Sequence, residues 1–172
     1  GSLPQPVSIT FTALSHLHLE RNEIELAQQY LDRVAEVDPN PVSTNIPVLV
    51  SILRAKIQVS EGQADEARAT MQAIRNLHIQ KPSGVWSDDD LLANECLICI
   101  RCGDFEAAKS MLPDGEKEFE HCLLQLVQAK LLMHQGNFES ARKILNSLLM
   151  KNPLAMVTEP IMVIRVALAV CL

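Results

Sequence analysis

The sequence predicts an all-α chain, and three observations carry that expectation. First, the nine prolines leave clear windows at 7–38, 48–81 and 114–152, each rich in the strong helix formers Ala, Leu, Glu, Gln and Lys. Second, each window is too long for one ordinary helix, and Gly62, Gly103 and Gly136 fall where a helix C-terminus and a new start want a glycine. Third, period-two strand patterns are scarce: the one candidate, Pro47 to Ile52, runs on into LRAKIQVSEG with helical spacing.

Taken in order, the elements read as helical hairpins. The first spans about 8–41, turns at Asn22 within HLERNEIELAQQYL and ends in VDPNP. The second spans about 48–81 and turns at Gly62 within QVSEGQADEARATM. In the third, about 89–115, Ser87 is placed to cap the helix while Asp88, Asp89 and Asp90 complement its positive N-terminal dipole. Trp86 precedes that cap as a hydrophobic anchor, and Pro113-Asp114-Gly115 cuts the hairpin's second helix short after the turn at Gly103. The fourth, about 116–155, turns at Gly136 and closes at Pro153, and a last, unpaired apolar helix is expected over 158–172.

These hairpins are copies of one pattern. Aligned on Ala27, Ala67, Ala108 and Ala141, they place Asn22, Gly62, Gly103 and Gly136 five residues earlier, and all four tolerate the left-handed backbone of a tight turn. Twelve residues before the alanines stand Ser15, Ala55, Cys96 and Ala129, all small. Four after them stand Leu31, Met71, Leu112 and Leu145, one helical turn along the same face. A small residue on each helix lets the backbones approach, and the large residue one turn on fills the groove.

The pattern resembles the tetratricopeptide repeat, most closely in CLLQLVQAKLLMHQGNFESARKILNSLLMKNPLA. The alanines are 40, 41 and 33 residues apart, and the drift toward longer units resembles the helical repeat region of the large ATP-dependent LuxR-type transcription regulators, the MalT-like family. Four stretches carry that resemblance: LERNEIELAQQYLDRV, AKIQVSEGQADEARATM, VWSDDDLLANECLICIRCGDFEAA, and EFEHCLLQLVQAKLLMHQGNFESARKIL followed by a further apolar helix. The resemblance implies a right-handed superhelix of about four hairpins plus the final helix, in one helical-repeat domain over 3–172. It implies a region that receives an inducer or an inhibitory partner and relays it to a nucleotide-binding switch outside this chain. An unrelated repeat scaffold, acting as a general adaptor for a peptide or partner protein, is the rival reading.

Charge and length exclude other classes. Fifteen Lys and Arg against twenty-one Asp and Glu leave a net charge of −6, which argues against direct nucleic-acid binding by these residues. No apolar run reaches the roughly 18 to 20 residues that span a bilayer, and GSLPQPVS lacks the features of a secretion signal. Gly1 and Ser2 read as an expression scar. The cysteines, at 96, 99, 102, 122 and 171, are odd in number and crowded, which fits a reducing cytoplasm better than a disulfide framework. There is no GxxxxGK[ST] phosphate loop and no basic recognition helix, so no cofactor is expected in this segment. The apolar run 161–172 has nothing after it to cover it, so the chain reads as a fragment of a longer array able to self-associate through that end.

Few residues invite chemistry. Cys96, Cys99 and Cys102 could suggest a metal, but on one continuous helix they form a slanting stripe, and core packing is the better reading. His121 and Cys122 are helix neighbours about 100° apart with no orienting third group, a poor catalytic dyad. No catalytic or metal site is expected, and the domain reads as non-enzymatic. In a superhelix of hairpins the first helix of each pair lines the concave face. Helical spacing puts His16, Glu20, Lys56, Arg101, Lys130 and His134 there, as a candidate groove for an anionic small molecule or the acidic side of a peptide.

Overall fold

The computed structural model describes residues 4–38, 45–80, 86–113 and 121–151. The expected helix over 158–172, Pro153, Gly1 and Ser2 lie outside the described residues. Among those described, eight helices and no strand form: α1 (Pro4–Glu20), α2 (Ile24–Val37), α3 (Asn45–Ser60), α4 (Ala64–Gln80), α5 (Asp88–Arg101), α6 (Phe105–Met111), α7 (Cys122–His134) and α8 (Phe138–Lys151). No helix among them is long and apolar enough to cross a membrane.

They group into two compact units, 1–87 and 88–172. In the first, α1 packs on α2, α3 packs on α4, and α3 also touches α1 and α2. In the second, α5 packs on α6, α7 packs on α8, and α7 also touches α5 and α6.

Two helices start earlier than the proline windows suggest. α1 begins at Pro4 and carries Pro6, while α3 begins at Asn45 and carries Pro47. The first-turn N–H groups of a helix have no intrahelical acceptor, so proline there sacrifices no hydrogen bond. At the other end, α5 stops at Arg101, and Cys102 lies in the turn beyond it rather than on one continuous helix with Cys96 and Cys99.

The four turns inside hairpins share one geometry. Asn22, Gly62, Gly103 and Gly136 have φ of 59°, 80°, 79° and 77°. Each donates its amide to the carbonyl three residues back at 3.0 Å, and the next residue donates five back: Glu23 to His18, Gln63 to Gln58, Asp104 to Cys99 and Asn137 to Leu132, at 2.8–2.9 Å. This is the Schellman closure, which satisfies helix-end carbonyls through a left-handed residue. The residue that completes it also starts the next helix, since its carbonyl accepts the amide of Ala27, Ala67, Ala108 or Ala141 at 3.0–3.2 Å. The five-residue offset between turn and alanine is therefore one step plus one helical hydrogen bond.

Ser15, Ala55, Cys96 and Ala129 are buried opposite those alanines, which are fully buried as well. In two hairpins the small residue also donates: Ser15 Oγ to the Ala27 carbonyl at 2.8 Å, and Cys96 Sγ to the Ala108 carbonyl at 3.6 Å. Apolar clusters grow around these contacts. Leu19, Ala27, Leu31, Leu53 and Ile57 form one in the first unit. Among the described residues of the second unit two more form, one on Cys96, Ala108 and Val127 and the other on Ala129, Ala141 and Leu145. Burying one such leucine contributes about 1.5–3 kcal/mol.

Candidate functional site

The six groove candidates all lie on α1, α3, α5 and α7, the first helices of their hairpins. In the first unit, His16 and Glu20 are neighbours one turn apart on α1, with Nε2 and Oε1 3.9 Å apart. Lys56 is buried on α3.

In the second unit three candidates come together. Arg101 is exposed at the end of α5, Lys130 is half-buried on α7, and His134 is exposed one turn further along α7. Burial, and then the Arg101 charge, push the Lys130 amine below its ordinary value. A fourth residue, which sequence reasoning passed over, joins them: the Phe105 ring stacks on the His134 imidazole, with centroids 3.5 Å apart and planes within 1°. No spacing signal marked it, because Arg101 and Phe105 sit on different helices on either side of the Gly103 turn.

Two further arrangements were not legible as sites. Across α1 and α2, His18 stacks on Tyr30 at 5.2 Å, Phe11 meets the same tyrosine at 6.0 Å, and the Arg33 guanidinium sits 5.8 Å from the Phe11 centroid. Glu23, the residue after the first turn, makes no side-chain cap bond, and its carboxylate pairs with His18 Nδ1. Across α5 and α7, His121 Nε2 meets Asp90 Oδ1 at 3.0 Å, both side chains half-buried. His121 is thus directed at α5, while Cys122 is exposed. Asp90, expected only to complement its helix dipole, is also the anchor for the start of α7.

Cys96 and Cys99 are buried in an apolar cluster and Cys102 is half-buried. Among the described residues no group of three or more His, Cys, Asp and Glu side chains is placed to hold a metal ion. Trp86 is half-buried just ahead of α5, and Ser87 is exposed beside it.

In the second unit, then, the Arg101 charge acts on Lys130 and the Phe105 ring stacks on His134. Comparison with curated proteins and with solved structures returns no match. The helical hairpins, their shared turn and their small-residue packing agree with a match over residues 2–154 to the family described as the MalT-like TPR region, and the chain belongs to that family.

Proposed function

We propose that this region is the effector-receiving part of a MalT-like transcription regulator, non-catalytic itself, which passes binding on to a switch domain outside this chain. The observation that carries the reading is the family match over residues 2–154, joined to the placement of titratable side chains on the first helices of the hairpins. In a superhelix of hairpins those helices line the inner face. An effector bridging two of them favours one relative arrangement, and it shifts the switch only through its difference in affinity for the two states.

A thermal-shift screen of the protein against neutral sugars, anionic metabolites and nucleotides tests the proposal. A ligand at a hundred times its dissociation constant stabilises by about 2.7 kcal/mol, roughly 5–10 °C in a domain of this size. A ligand-dependent rise of that order supports a small-molecule sensor. A flat screen with capture of the purified switch domain moves the role to protein partners, and a flat screen without capture overturns the proposal.

A further inference from the structure

The contact between successive hairpins has one register in both units. In the first, Leu53 and Ile57, two residues before and two after the small residue Ala55 of α3, share a buried cluster with Leu19, Ala27 and Leu31 of the hairpin ahead. In the second, Val127 and Leu131, two before and two after Ala129 of α7, share a buried cluster with Cys96, Cys99 and Ala108 of the hairpin ahead. The receiving hairpin adds the residue two beyond its turn: half-buried Ile24 packs against the first cluster and half-buried Phe105 against the second. Each half of this contact occurs once more, at the surface. On α1 the positions two before and two after Ser15 are Ala13 and Leu17, both exposed, the leucine by 45%. Two beyond the turn at Gly136 stands Phe138, the first residue of α8, 43% exposed.

We infer that the chain associates head to tail with a second copy of itself, the Ala13 and Leu17 face of α1 in one copy seated on the α7–α8 hairpin around Phe138 of the next. The occupant is a second copy because the two open halves belong to one contact and both are carried by this chain, on its first and last described hairpins. The new contact continues the α3 and α7 contacts in the same register and needs no new kind of packing. It is heterologous, so a pair keeps one open half of each kind and growth does not stop at two. Ala13 stands where the internal contacts have Leu53 and Val127, so less apolar area is buried and the association is weaker than the contacts within the chain. Copies of net charge −6 repel one another, and salt screens that repulsion, so the association strengthens as salt is added. The inference stands apart from the effector-receiving role proposed above.

The test is analytical ultracentrifugation of the full 172-residue protein at concentrations from about 10 μM to about 1 mM, a range in which weak contacts become populated. The parent is expected to show an average mass that rises with concentration past that of a dimer. Leu17→Glu and Phe138→Glu each replace an exposed side chain, so both variants are expected to keep the parent's helix content and melting temperature while staying monomeric. Mixed in equal amounts, they retain between them one intact α1 face and one intact α7–α8 hairpin, and they should form a one-to-one dimer that grows no further. A parent that stays monomeric over the whole range overturns the assignment. So does association that survives in either variant, because it would run through another surface, and so does a mixture of the two variants that stays monomeric while the parent associates.

Discussion

Phe105, the first residue of α6, lies parallel to His134 in the last turn of α7, ring on ring at 3.5 Å. The contact matters because α6 has only seven residues, too few to persist as an isolated helix. Its hold on the unit comes from this stack and from buried Ala108, with Ala107 and Met111 packed on the same apolar cluster, while the Asp104 carboxylate caps its start by accepting the Ala107 amide at 3.1 Å.

Replacing Phe105 by leucine keeps the apolar bulk and removes the stacking. The expected loss is about 0.5–1.5 kcal/mol, and a double-mutant cycle with His134→Ala should return a coupling of the same size. Urea denaturation of the four proteins measures it, and additive effects would show that the rings are merely adjacent.

Gly62, Gly103 and Gly136 have open space where a Cβ would stand, so alanine there meets only backbone strain. Each Gly→Ala change is expected to lower stability by about 1–2 kcal/mol, the cost of a side chain in the left-handed region. Asn22 already bears a side chain at φ 59°, and Asn22→Gly should raise the melting temperature. A fall on that substitution would mean that the asparagine side chain holds the turn.

The buried hydroxyl of Ser15 is satisfied by the Ala27 carbonyl, and the Cys96 thiol takes the equivalent place against Ala108. Ser15→Ala should cost about 1 kcal/mol, whereas Cys96→Ser should fold normally, since the hydroxyl inherits the same acceptor. Cys96→Leu overfills the slot and should cost about 1–3 kcal/mol or more. Thermal melts of the three variants give the ranking.

Lys130 supplies a pH dependence whose sign is fixed by its surroundings. Burial and Arg101 lower its amine in the folded state below the ordinary 10.5 that it keeps when unfolded. Between those two values the unfolded chain holds more protons, so stability contributed by this group rises with pH through that window. Below it, the cost of the buried charge is fully present. Lys130→Met should therefore be more stable than the parent at pH 7, with the gap closing as pH approaches 10.5. Paired urea melts at pH 7 and pH 10 check this, and a pH-independent gap would contradict it.

The helical class was open to reading because its signals are local. The turns at 22, 62, 103 and 136 need a left-handed residue, and proline is excluded from helix interiors, so both leave marks in composition. The start of α3 was less legible, because Pro47 is equally at home before a helix and in its first turn. The pairs His121–Asp90 and Phe105–His134 were hidden for another reason. Each joins residues about thirty positions apart, and which polar or aromatic groups meet across two helices depends on their rotation and register, not on either segment alone. For the same reason the six groove candidates could be assigned to first helices by periodicity, while only the side chains revealed that Arg101, Lys130 and His134 share a neighbourhood with Phe105.

The shared residue in each turn, which ends one helix and begins the next, leaves that junction without slack. From the small residue to the alanine the count is twelve in all four hairpins: 15 to 27, 55 to 67, 96 to 108 and 129 to 141. From the alanine to the next small residue it is 28, 29 and 21. Insertions and deletions are thus confined to the connectors between hairpins, because one added residue inside a hairpin would rotate its second helix by about 100° and turn its apolar stripe away from its partner. Each hairpin is a cassette of fixed length, and hairpins exchanged between relatives should be spliced at the connectors and never at the glycine.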